Sequence, residues 1–123
     1  MIKSTHFKEE DFTCKCGCGK NNISQALVDR LDELRDAVNF PLVITSGTRC
    51  AKHNEAVGGA ADSAHLKGLA ADIGINDSGK RYRVIAAAVE HFARIGIGKS
   101  LIHVDIDETK PQEAAWVYGG NGG

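Results

Sequence analysis

The sequence predicts a small α+β domain, a mostly antiparallel sheet packed with two main helices. Residues 25–38 and 82–95 carry apolar side chains at helical spacing, whereas 42–45, 69–75 and 101–106 are short apolar runs bounded by turn residues. Two helices grouped with four or five short strands make an α+β arrangement.

In chain order, residues 1–22 read as an irregular, cysteine-rich segment anchored by Phe7 and Phe12. Ser24 is placed to cap a helix whose Leu27, Val28, Leu31, Leu34 and Val38 form one apolar face, and Asn39 and Pro41 end it. A strand over 42–45 leads into the turn SGTRC. A short helix follows over 51–57, broken by Gly58-Gly59. Leu69–Ile75 reads as a strand, and Asn76, Asp77, Ser78 and Gly79 as a turn. The second main helix, 82–95, places Val84, Ile85, Ala88, Val89 and Phe92 on one face. Gly96-Ile97-Gly98 and Leu101–Ile106 close the sheet. Trp116–Tyr118 adds an edge strand, and the glycine-rich tail 119–123 is expected to be flexible.

With 123 residues the chain suits one domain, 1–123, long enough to bury a core without staples. A formal net charge of -1 offers no basic footprint for nucleic acid. No apolar run approaches the roughly 18 residues that span a membrane. The opening MIKSTHFKEEDF lacks the apolar core of a secretory signal, so the expectation is a protein that is cytoplasmic as synthesised. Cys14, Cys16, Cys18 and Cys50 are the cysteines. Cys-x-Cys-x-Cys is not the spacing of a zinc knuckle, so a local disulfide or buried thiols bracing the N-terminal segment is favoured over a structural zinc site.

Chemistry concentrates in three stretches. SAHLKGLAADI contains Ser63, His65, Gly68 and Asp72; LIHVDI contains His103 and Asp105; SGTR ends in Arg49. Asp72 and His103 each interrupt an apolar strand, and a buried carboxylate needs a cation or donors. Together with a loop His65 they offer three zinc ligands and leave a fourth position for water, as a catalytic zinc requires. Taken singly, each also reads as an ordinary hydrogen-bonded polar residue. His6, His53 and His91 read as surface or supporting residues.

At these residues the sequence resembles the zinc D-alanyl-D-alanine carboxypeptidases, a superfamily that includes D-Ala-D-Ala dipeptidases, phage L-alanyl-D-glutamate endolysins and the hedgehog signalling domain. The matching pattern is SxHxxGxAxD, carried by Ser63, His65, Gly68, Ala70 and Asp72, with Ser46-Gly47-Arg49 upstream and His103-Val104-Asp105 downstream. HNEAVGGA and FTCKCGCG resemble its phage and prophage branch.

The resemblance implies a hedgehog/DD-peptidase-like fold and one zinc per chain on His65, Asp72 and His103. It also implies a monomer acting on a peptidoglycan stem peptide, with Arg49 and Ser63 at the substrate and no membrane insertion. The expected function is zinc-dependent hydrolysis of a D-Ala-D-Ala or L-Ala-D-Glu type bond, after release to the cell wall or from a virion. The alternative is a catalytically weak or inactive zinc-containing module of a phage particle. One departure matters. Where many relatives carry a Glu base three residues before the last histidine, this chain has Ser100. Asp105, two residues past His103 and so on the same strand face, is the nearest candidate, as base or as a supporting partner. Glu108 and Glu113 are the outside choices.

Overall fold

The computed structural model describes residues 1–118, so the tail at 119–123 lies outside the described residues. Its elements are a 3-10 turn Glu9–Phe12, α1 (Gln25–Val38), β1 (Val43–Ser46), α2 (Ala51–Ala56), a second 3-10 turn Ala64–Lys67, β2 (Ala70–Gly74), α3 (Ser78–His91), β3 (Arg94–Ile97), β4 (Leu101–Asp105) and β5 (Ala114–Val117). The five strands form one mixed sheet in the order β1-β2-β4-β3-β5. Every pairing is antiparallel except β3 with β5.

The sheet has two unlike faces because side chains alternate along a strand. Ile44, Ala71, Ile73, Ile95, Ile102 and Val104 point to one side and join the core. The apolar face of α1 lies there, with Leu27, Val28, Leu31, Leu34 and Val38 all buried, and α3 adds Val84 and Ala88. Burying a side chain such as Leu31 or Ile73 contributes about 1.5–3 kcal/mol. Phe7 and Phe12, with ring centroids 5.7 Å apart, hold the N-terminal segment on this core. The opposite face carries Asp72, His103, Asp105 and Arg94, which are buried. The core thus fixes the strand register, and the register lines up the polar residues: Asp72 lies opposite His103, and Asp105 opposite Arg94.

Helix α3 differs from the sequence expectation by a shift of four residues. Asp77 accepts from the Lys80 backbone N–H at 2.8 Å and starts the helix at Ser78 rather than 82. Phe92 is already extended (φ -132°, ψ 138°), so Arg94 and Ile95 belong to β3. Val89, expected on the apolar face, is exposed, and His91 is the last residue of α3. At the end of α1, Asn39 adopts the left-handed conformation (φ 58°) and stops the helix as expected.

Candidate metal centre

His65, Asp72 and His103 reach one point from three elements, and their nearest nitrogen and oxygen atoms lie within 4.8 Å of one another. His65 sits in the 3-10 turn, whose cap Ser63 accepts from the His65 backbone N–H at 3.2 Å. Gly68 closes that turn with φ 70°, and a Cβ there would stand 2.0 Å from the Asn22 carbonyl oxygen. Glycine is therefore required twice, for the conformation and for the close approach.

The tautomers of both rings follow from their outer partners. His65 Nδ1 lies 2.7 Å from the Gly47 carbonyl oxygen, which only accepts, so Nδ1 carries the hydrogen. His103 Nε2 lies 2.8 Å from Asp105 Oδ2 and donates to that carboxylate. The inner nitrogens, His65 Nε2 and His103 Nδ1, then face the same atom, Asp72 Oδ1, at 3.2 and 2.8 Å. Two neutral imidazoles would thus aim lone pairs at a carboxylate oxygen. Such an arrangement needs a shared cation, either a proton or a metal. The donor set, two imidazole nitrogens and one carboxylate oxygen, suits zinc.

Electrostatics agree with this geometry. Burial works against the Asp72 anion, yet the hydrogen bonds and charges of His103 and His65 hold its carboxyl well below the usual carboxylate range. Burial also works against a charged His103, but Asp105 and Asp72 outweigh it and raise its pKa above the ordinary value. Asp105 is lowered: burial opposes ionisation, while His103, the Asp107 backbone N–H and Arg94 favour it.

A buried shell supports the three residues. Arg49 donates through Nη2 to Asp72 Oδ2 at 3.3 Å, through Nε to Ser46 Oγ at 3.1 Å and through Nη1 to Asn54 Oδ1 at 3.2 Å. Gly59 packs so closely that a Cβ would lie 2.1 Å from Asn54 Oδ1 and 2.9 Å from Arg49 Nη1. Asp105 accepts at Oδ1 from Arg94 Nε (2.8 Å) and the Asp107 N–H (3.1 Å), and at Oδ2 from His103. Arg94 also donates to the Pro111 carbonyl at 2.7 Å and stacks 4.7 Å over Trp116.

The centre opens into a cleft of about 590 Å³, whose lining includes Ser63, His65, His103, Asp105, Trp116 and Tyr118. Trp116 and Tyr118 stand 5.6 and 6.1 Å from the His103 ring. They fit because position 96 is glycine, where a Cβ would meet each of them at 2.6 Å. Burial raises the pKa of Tyr118 and keeps its phenol protonated.

Of the residues singled out in the sequence, Ser63 and Asp105 line the cleft, and Arg49 is buried behind Asp72. Ser100, Glu108 and Glu113 are exposed and lie outside that lining. His6 pairs with Asp36, and His91 stands near Glu33. Sequence reasoning missed Arg94, Asn54, Gly59 and the aromatic wall. The alternation Arg94-Ile95-Gly96-Ile97 was the available signal for the first.

Fold and site together present a candidate metal centre on a small α+β scaffold. A model of the family described as peptidase M15 matches residues 5–107, and the chain belongs to that family. The family is of the zinc D-Ala-D-Ala carboxypeptidase-like type, so membership implies a peptidase and a peptide substrate. No curated protein matches the chain. Among the described residues, no helix is long and apolar enough to cross a membrane.

Proposed function

We propose that this protein is a zinc-dependent peptidase that hydrolyses a stem-peptide bond of bacterial peptidoglycan, of the D-Ala-D-Ala or L-Ala-D-Glu type. The observation that carries the reading is the convergence of two tautomer-fixed imidazole nitrogens on Asp72 Oδ1 beside an open cleft. His65, Asp72 and His103 would hold one zinc. When bound, zinc supplies a Lewis acid that acidifies water and polarises a carbonyl.

The chain's own residues divide the remaining work. Asp105 orients His103 by accepting from its Nε2–H, which leaves Nδ1 as the lone-pair nitrogen of the neutral ring. Arg49 balances the charge of Asp72 and fixes its second oxygen. Ser63 shapes the cleft wall and holds His65. Tyr118, in the same wall, would offer its phenol O–H to a substrate oxygen.

Incubating the purified, zinc-loaded protein with peptidoglycan and identifying the released fragments by mass spectrometry tests this reading. Fragments cut at one stem-peptide position are expected, and Asp72→Ala abolishes them. A second reading, a zinc-containing binding module, is favoured by the engagement of both Asp105 oxygens and by Ser100 at the usual base position. Zinc-loaded protein that binds peptidoglycan and leaves every stem peptide intact would establish that reading instead.

A further inference from the structure

We infer that Cys14, Cys16, Cys18 and Cys50 form a second metal site, a four-thiolate cradle for a structural zinc ion, separate from the His-Asp-His centre. All four thiols are free, and their sulfur atoms lie within 4.8 Å of one another. Cys14 Sγ stands 3.4 Å from Cys16 Sγ, and Cys16 Sγ 3.7 Å from Cys50 Sγ. A covalent S–S bond is about 2.05 Å. A tetrahedron with Zn–S bonds of about 2.3 Å has edges of about 3.8 Å. The observed separations match the second geometry.

Backbone donors surround the sulfurs as thiolates require. The Cys50 N–H points at Cys14 Sγ, the Lys20 N–H at Cys18 Sγ and the His53 N–H at Cys50 Sγ, each at 3.4 Å. Three sulfurs thus act as acceptors, as ligating thiolates do.

The local fold also explains how an alternating motif reaches one ion. On an extended strand, residues two apart share a face but lie about 7 Å apart, too far for one tetrahedron. Here Gly17 (φ 88°) and Gly19 (φ 82°) take left-handed conformations and coil the loop. The Cys14 N–H closes the loop on the Lys20 carbonyl at 2.9 Å. The coil brings three sulfurs together and presents them to Cys50, the cap of α2 and the residue after Arg49. An ion there clamps the N-terminal segment onto the chain that carries Arg49.

The test counts metal in the full chain purified under reducing conditions with zinc. Wild type is expected to hold two zinc ions in native mass spectrometry. Cys16→Ser/Cys18→Ser is expected to hold one, and so is Asp72→Ala, each having lost a different ion. Cobalt substitution reads the ligands directly. Sulfur-to-cobalt charge-transfer absorption should appear in wild type and Asp72→Ala and vanish in the double cysteine variant. If that variant fails to fold, thiol alkylation of wild type decides: all four cysteines should be protected by zinc and exposed by chelator. Absence of charge-transfer absorption, alkylation at the same rate with and without zinc, or disulfides among these cysteines in the zinc-treated protein would overturn the site. Wild type that holds the cysteine-bound ion and none at His65, Asp72 and His103 would count only against the peptidase centre.

Discussion

Asp72 is the residue on which the centre turns. One of its oxygens meets both histidines, and the other meets Arg49. Removing the guanidinium leaves a buried carboxylate short of a cation, at a cost of about 3–5 kcal/mol when such a pair is broken. Arg49→Met should therefore lower the unfolding free energy of the metal-free protein by that order in denaturant titration. A loss under 1 kcal/mol would place the main compensation of Asp72 elsewhere. Asp105 gives a sharper discrimination. As an orienting partner, its Asn variant should bind zinc about 10–100-fold more weakly. Excess zinc should then restore turnover. Turnover that stays about a hundredfold down with zinc saturating would make Asp105 the general base. These residues were legible in the sequence because a charged side chain between Ala71 and Ile73, or a histidine between Ile102 and Val104, demands a partner. The direction of Arg49 was not legible. Its burial behind Asp72 depends on Ser46, Asn54 and the bare backbone of Gly59.

At the scale of elements, the strands deliver the site and the turns set its shape. The apolar faces of β2 and β4 were readable from their composition, and so was α1, whose five expected core residues, Leu27, Val28, Leu31, Leu34 and Val38, are all buried. The boundaries of α3 were not. Phe92 and Ile95 continue a helical spacing on paper, but the Asp77 cap starts the helix early and the sheet claims Arg94–Ile97 for β3. Asp77→Ala should cost about 1 kcal/mol, the usual value of an N-cap, in denaturant titration, with no change in zinc content. Gly96→Ala should act differently. The new methyl displaces Trp116 and Tyr118 beside His103, so kcat/KM should fall while zinc remains bound. Unchanged kinetics in that variant would remove the aromatic wall from the substrate site. The shape of the cysteine loop was not legible, because the three sulfurs of Cys-x-Cys-x-Cys converge only after two left-handed glycines have coiled the chain.

At the scale of the whole molecule, a core built on one sheet face leaves the other face free for buried ionic groups. Stability should then depend on pH. Asp107 is fully buried and accepts from Thr109, Lys110 and Lys67. Burial opposes its charge, but those donors hold its carboxyl well below the ordinary value of 3.8. A depressed folded-state pKa gives stability that is complete above the unfolded value and is lost as pH falls below it. Melting temperature should therefore drop below about pH 4, and Asp107→Asn should flatten that limb. A limb of equal slope in the variant would assign the acid sensitivity to other carboxylates.

Anomalous diffraction at the zinc edge, from crystals grown with zinc, would locate the ion that His65, Asp72 and His103 are proposed to hold. A peak is expected about 2.0–2.2 Å from His65 Nε2, Asp72 Oδ1 and His103 Nδ1, with the remaining coordination position facing the cleft. No peak there, or a fourth protein side chain completing the coordination, would contradict it.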